Sequence, residues 1–114
     1  MVVELLKHQD FEQLLERSNF VPVLIFKHST QCPVSAHAYD EFNRFAESAE
    51  HAVCGVVFVL ENRTLSDDIE EQLGIRHESP QVILLRNGKA IWNASHWSIT
   101  TAALTQAVYA ESPR

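Results

Sequence analysis

Apolar and polar positions follow two distinct periods along this chain. Phe11, Leu14 and Leu15 recur at the i, i+3, i+4 spacing of an amphipathic helix, with Asp10 standing where an N-cap is wanted. Asn19 is placed to end that helix. Pro22 then opens Val23-Leu24-Ile25-Phe26, an uninterrupted apolar run suited to a strand covered on both faces. A polar loop is expected over 27–31. Beyond it, Val34, Ala38, Phe42, Phe45 and Ala49 fall at helical spacing and predict a long helix over 33–50. A second continuous apolar run, 53–60, reads as another buried strand. Strand, helix, strand makes a βαβ unit with a right-handed crossover.

Leu65, Ile69 and Leu73 predict a shorter helix over 64–73, closed by Gly74 at the position after the C-cap. Ser79-Pro80 leads into Val82-Ile83-Leu84-Leu85, then Asn87-Gly88, then Ala90-Ile91-Trp92. Asn-Gly between two apolar runs predicts a hairpin, because a type I′ turn needs positive φ at both positions. Ser98 is read as the cap of a last helix through Ile99, Ala103, Ala107 and Val108, with Ser112-Pro113-Arg114 fraying. A short strand over 2–6 is the remaining expectation. No linker or repeat interrupts this order. It predicts a single α/β domain over 1–114, a mixed central sheet with helices on both faces.

Composition narrows the function classes. A chain of 114 residues with 46% hydrophobic content can bury a core, and the run 56–60 demands one, which excludes disorder. Nine Lys and Arg against 15 Asp and Glu leave a net charge of −6, which argues against a nucleic-acid partner. No run approaches the ~20 apolar residues of a membrane span. The stretch from Met1 to Leu6 is too short and too soon charged for a signal peptide. The two cysteines, Cys32 and Cys54, would make a thin framework for a secreted domain. The expectation is a soluble, cytoplasmic protein with reduced thiols.

The chemistry concentrates in Ser29-Thr30-Gln31-Cys32-Pro33-Val34-Ser35, between the first buried strand and the long helix. Pro33 suits the first helical position, where its missing N–H would lack a partner anyway. Cys32 then falls at the N-cap, with its sulfur near the free amides and positive end of the helix dipole. Those groups favour thiolate over thiol, and a thiolate attacks disulfides. The bland alternative is a small apolar residue at a helix start, yet cysteine is not a preferred cap and its neighbours are polar. Ser35 stands where a dithiol site would carry its resolving cysteine, so the site is expected to work with one thiol. Its hydroxyl is expected either to donate to the Cys32 sulfur or to face solvent. Cys54, inside the second apolar run, is read as a packing residue. Six histidines invite a metal reading, but no ligand spacing supports one, and no metal is expected.

With Gly74-Ile75-Arg76, Pro80 opening a strand and Asn87-Gly88 in the turn, the chain resembles the thioredoxin fold. That superfamily has a cis proline beside its active-site cysteine, and Pro80 is the matching position here. More narrowly, the chain resembles the monothiol bacilliredoxin family, also called YtxJ-like general stress proteins. Three stretches carry this: the ten residues Phe26-Lys27-His28-Ser29-Thr30-Gln31-Cys32-Pro33-Val34-Ser35, then His77-Glu78-Ser79-Pro80-Gln81, and Arg86-Asn87-Gly88. Dithiol thioredoxins differ, with a buried Asp where Phe26 stands and Trp where Gln31 stands. The resemblance implies that Cys32 removes bacillithiol from protein mixed disulfides, and that a second bacillithiol regenerates it. Its partners would be S-thiolated client proteins and a low-molecular-weight thiol, with bacillithiol as co-substrate and no tightly bound cofactor. Pro33, Ser35, Ser79, Pro80, His28 and His77 would shape the cleft. Bacillithiol bears a malyl carboxylate pair, so Lys27, His28, Arg76 and His77 are candidates for a cationic or donor-rich rim. Glu78 would oppose an anion there unless turned away.

Two other readings stand beside this one. A monothiol glutaredoxin binding glutathione or an iron–sulfur cluster would carry Gly-Phe after the cysteine, where Pro33-Val34 stands. A thioredoxin-fold adaptor without redox activity would use exposed aromatics, for which Trp92, His96 and Trp97 are available.

Overall fold

Each apolar run becomes a strand of one sheet. The strands are β1 (Val2–Glu4), β2 (Val23–His28), β3 (Val53–Phe58), β4 (Gln81–Arg86) and β5 (Lys89–Ser95), in the order β1-β3-β2-β4-β5. β1, β3 and β2 run parallel, whereas β4 runs antiparallel to β2, and β5 to β4. The helices are α1 (His8–Arg17), α2 (Pro33–Ser48), α3 (Arg63–Leu73) and α4 (Thr101–Tyr109), with a single 3-10 turn at His96–Ser98. The computed structural model describes residues 1–110, so the expectation for Ser112-Pro113-Arg114 lies outside the described residues.

The central strand β2 divides the core by its period of two. Leu24 and Phe26 face α2 and α4, where they meet Phe42, Phe45, Leu104 and Val108. Val23 and Ile25 face the other layer, with Phe11, Leu14, Leu65 and Ile69. All six residues of β2 are buried, as a strand covered on both faces requires.

Several boundaries move, each for a local reason. The polar stretch expected over 27–31 begins two residues later, because Lys27 and His28 complete β2 and are buried there. Lys7, not Asp10, is the N-cap of α1. Asp10 is the third helical residue, and its carboxylate reaches back to accept the Leu6 and Lys7 amides, each at 2.9 Å. α1 ends at Arg17 with Ser18 as C-cap, ahead of Asn19. α2 stops at Ser48 and β3 at Phe58, both short of the apolar pattern. Asn62 caps α3 through the Leu65 amide at 3.3 Å. Thr100, not Ser98, caps α4 through the Ala103 amide at 3.0 Å, because the 3-10 turn takes up Ser98. Ile99 is buried all the same, between the two elements.

The glycine signals hold. Gly74 ends α3 with φ +69°, and Asn87 and Gly88 both have positive φ, 54° and 75°, as a primed hairpin turn needs. Buried Ser18 ties that turn to the end of α1. Its carbonyl accepts the Asn87 amide at 2.8 Å, and its hydroxyl accepts the Gly88 amide at 2.8 Å.

Candidate active site

Three of the connections at one end of the sheet lie side by side. Register pairs His28 with Phe58, Lys27 with Gln81, and Gln81 with Ser95. The loop after β2, the loop before β4 and the turn after β5 are therefore neighbours. Cys32 lies in the first and is the N-cap of α2, with extended backbone (φ −115°, ψ 118°) and Pro33 at the first helical position. Its carbonyl accepts the Ala36 amide at 3.0 Å, which starts the helix. No side chain caps the first turn, the Cys32 sulfur included, and no acidic residue lies in it. The start of the helix is therefore open beside the partly exposed Cys32, without the sulfur–amide hydrogen bond that an N-cap thiol could make. In the second loop the Ser79–Pro80 bond is cis. The third loop touches the second: the His96 amide donates to the Pro80 carbonyl at 3.1 Å.

Ser35 has a different task from either one expected of it. It is fully buried, and its hydroxyl oxygen lies 2.7 Å from His28 Nδ1 and accepts the Ser29 amide at 3.0 Å. His28 is 6% exposed, so it is not a rim residue. Its ring stacks on Tyr39 at 4.3 Å between centroids and meets Phe58 edge-on at 5.7 Å. Burial lowers the His28 pKa, opposed by Glu61 and Asp40, and keeps the ring neutral. Ser35 and His28 thus fasten both ends of the loop that carries Cys32. The sequence held one signal for this: a histidine closing an apolar strand seven residues before a first-turn serine.

Lys27 is likewise withdrawn from the surface. Alternation along β2 sends it to the face of Val23 and Ile25, toward α3. Its ammonium donates to the Ser66 carbonyl at 3.1 Å and to His77 Nδ1 at 3.2 Å. An ammonium has only donors, so Nδ1 accepts and His77 is neutral. Burial lowers the Lys27 pKa to about 8, against the pull of the Glu70 and Asp67 carboxylates. Burial, and then the Lys27 charge, lower that of His77. The Glu70 carboxylate accepts the His77 amide, so the segment leading to Pro80 is held from beneath at two points. Gln81 adds a third, donating to the Arg76 carbonyl at 2.9 Å.

Of the four proposed rim residues only Arg76 is exposed; His77 is half-buried and taken up by Lys27. Glu78 is occupied as well, since its carboxylate accepts from His96 Nε2 at 3.1 Å. Ser79 Oγ is shielded from solvent and has no hydrogen-bond partner among the described residues. Cys54 sits in β3 beside Leu24 and Val2, 2% exposed, at the end of the sheet away from Cys32. Burial pushes its thiol up to about 11. Among the described residues no group of three or more His, Cys, Asp or Glu is placed to hold a metal ion. No described helix is long and apolar enough to cross a membrane.

A sheet of this order, with cysteine heading the helix after β2 and a cis proline before β4, defines a thioredoxin-fold oxidoreductase. The profile of the monothiol bacilliredoxin BrxC family matches residues 3–104, and the chain belongs to that family. A solved structure described as a candidate oxidoreductase with a thioredoxin fold is 37% identical, covering 93% of this chain and 92% of its own, with a TM-score of 0.84. The Malassezia sympodialis thioredoxin shares the fold at 18% identity, covering 99% of this chain and 92% of its own (TM-score 0.78). Spinach chloroplast thioredoxin f does so at 18% identity, covering 96% and 91% (TM-score 0.75).

Proposed function

We propose that this protein removes bacillithiol from protein mixed disulfides, with Cys32 as its one working thiol. The observation that carries the reading is the absence of a second thiol within reach. The position three residues after Cys32 is a hydroxyl committed to His28 and Ser29, and the other cysteine is buried in the sheet. A mixed disulfide on Cys32 must therefore be resolved from outside.

The exchange balances in two steps. The Cys32 thiolate attacks the bacillithiol sulfur of the client disulfide, forming a new S–S bond while the client sulfur leaves as thiolate and takes a proton from solvent. A second bacillithiol thiolate then attacks the adduct, restoring Cys32 and leaving bacillithiol disulfide. The client mixed disulfide and one free bacillithiol thus become a client thiol and bacillithiol disulfide. The free bacillithiol is oxidised as the client sulfur is reduced, and the client-borne bacillithiol stays at the disulfide level. Cys32 stands at the positive end of the α2 dipole, where its sulfur takes part as attacking and as leaving group. The Ser79–Pro80 loop bounds the cleft on the other side. The setting is cytoplasmic, and the partners are S-thiolated proteins and the low-molecular-weight thiol.

Incubation with bacillithiol disulfide followed by intact-mass measurement tests the reading. One bacillithiol adduct should appear, map to Cys32 and vanish in Cys32→Ala. Wild-type protein that stays unmodified would overturn it.

A further inference from the structure

The turn after β5 shares the cysteine end of the sheet, and the exchange chemistry leaves its side chains unused. His96 holds φ +55°, a left-handed conformation uncommon outside glycine and concentrated at functional sites. Two bonds hold it there, its amide to the Pro80 carbonyl and its ring to Glu78, each at 3.1 Å. The turn so formed carries Trp97 outward, 66% exposed. On its other side the indole meets the His37 ring at 5.3 Å, tilted by 49°. His37 lies five residues past Cys32 on α2, which is about 7.5 Å along the helix axis. An open aromatic face thus stands at the cysteine end of the sheet, joined to α2 through His37 and to the Pro80 loop through the neighbouring His96.

Its surroundings indicate what it can hold. Protein hot spots are aromatic anchors set in well-packed, desolvated pockets. Trp97 instead stands on an exposed turn between His96 and Ser98 with the His37 ring against it, all three hydrogen-bonding side chains. An electron-rich ring face with a polar border suits a sugar ring, whose C–H edge lies on the π face while its hydroxyls reach the border. Glu78, paired with His96, is turned from the role of a free anion.

We infer that Trp97, bordered by His37 and His96, is the subsite for the sugar ring of the substrate thiol and sets the preference for bacillithiol over sugar-free thiols. This rests on the proposed debacillithiolation. Bacillithiol carries its thiol on a cysteinyl group amide-linked to an amino-sugar ring, so the Trp97 face holds the ring while Cys32 exchanges the cysteinyl sulfur.

The test uses one client protein loaded with bacillithiol or, separately, with cysteine, which has no sugar. Trp97→Ala should lower kcat/KM for the bacillithiol adduct roughly tenfold, through KM, the scale of one aromatic contact. The cysteine adduct should be released within about twofold of wild type, and Trp97→Phe should recover most of the loss. An unchanged rate of Cys32 alkylation by iodoacetamide would show that the reacting end is intact. Equal losses on both adducts, or none on either, would overturn the subsite and leave the exchange reaction standing. Wild-type protein that releases neither adduct would overturn both.

Discussion

Lys27 and His28 are consecutive residues of β2, and their side chains leave the strand on opposite faces to secure opposite halves of one site. Lys27 reaches His77, three residues before Pro80, at 3.2 Å; His28 reaches Ser35, three residues after Cys32, at 2.7 Å. The period of two that divides an ordinary core here divides a scaffold. One strand end fixes both the cysteine loop and the cis-proline loop, so their relative position is set by backbone rather than by contact between flexible loops.

Ser35→Ala removes the shared atom of the upper half. The His28 ring nitrogen and the Ser29 amide would then lie in the interior without partners, at a cost of about 1–3 kcal/mol. The expected result is a Tm several degrees below wild type, together with slower iodoacetamide alkylation of Cys32 as the loop loosens. Thermal denaturation and alkylation kinetics check both. An unaltered Tm would mean that the hydroxyl is dispensable to the loop.

The acid side of stability is set by the same pair of anchors. His28 and His77 both have pKa values lowered by burial from 6.5. Below pH 6.5 the unfolded chain therefore binds more protons than the folded one, and stability falls as pH falls. Asp10 and Glu41, held down by backbone hydrogen bonds, add their losses only below their ordinary values of 3.8 and 4.5. Urea midpoints at about pH 7 and about pH 5.5 thus isolate the histidines. Wild type should lose stability across that interval. His77→Gln, which keeps an acceptor for Lys27 but cannot be protonated, should lose less. Equal losses in the two proteins would remove His77 from the account.

On the alkaline side the sign reverses. Lys27 titrates at about 8 in the fold and near 10.5 in the unfolded chain. Between those values the unfolded chain holds the extra proton, so the Lys27 contribution grows more favourable as pH rises. His77, Glu70 and Asp67 face the ammonium throughout. Cys54 and Tyr39, both raised by burial, act in the opposite sense. The informative quantity is therefore the difference between wild type and Lys27→Met. Urea midpoints should show that difference shifting toward wild type between about pH 7.5 and about pH 9.5. A difference independent of pH would mean that Lys27 is not desolvated in solution.

The fold was legible because its signals are local. Continuous apolar runs, the Asn87-Gly88 turn and Gly74 each report on a few neighbouring residues, and each kept its place in the structure. Pro33 after Cys32 likewise located the helix start. What escaped was polar burial. Lys27 and His28 read as surface because charged and polar residues usually are, and their partners lie 50 and 7 residues away. Alternation with Val23 and Ile25 held the one sequence clue to where Lys27 points. Nothing local identifies the Ser66 carbonyl or His77 as its destination. The cap of α4 slipped for a similar reason, since the 3-10 turn before it is fixed by the Pro80 carbonyl from another loop.

Cys54 decides whether the exchange cycle is truly monothiol. It lies in β3 between β1 and β2, and burial raises its thiol to about 11, so near pH 8 it is neither exposed nor ionised. Iodoacetamide at that pH should add one label to native protein, on Cys32, and two in denaturant. Cys54→Ala should turn over a bacillithiolated client at the wild-type rate, with about 1 kcal/mol of stability lost from the smaller core side chain. Peptide mapping after oxidation without added thiol supplies the opposing outcome. A Cys32–Cys54 disulfide would require β3 to open and bring its sulfur to the far end of the sheet, making the resolving thiol internal.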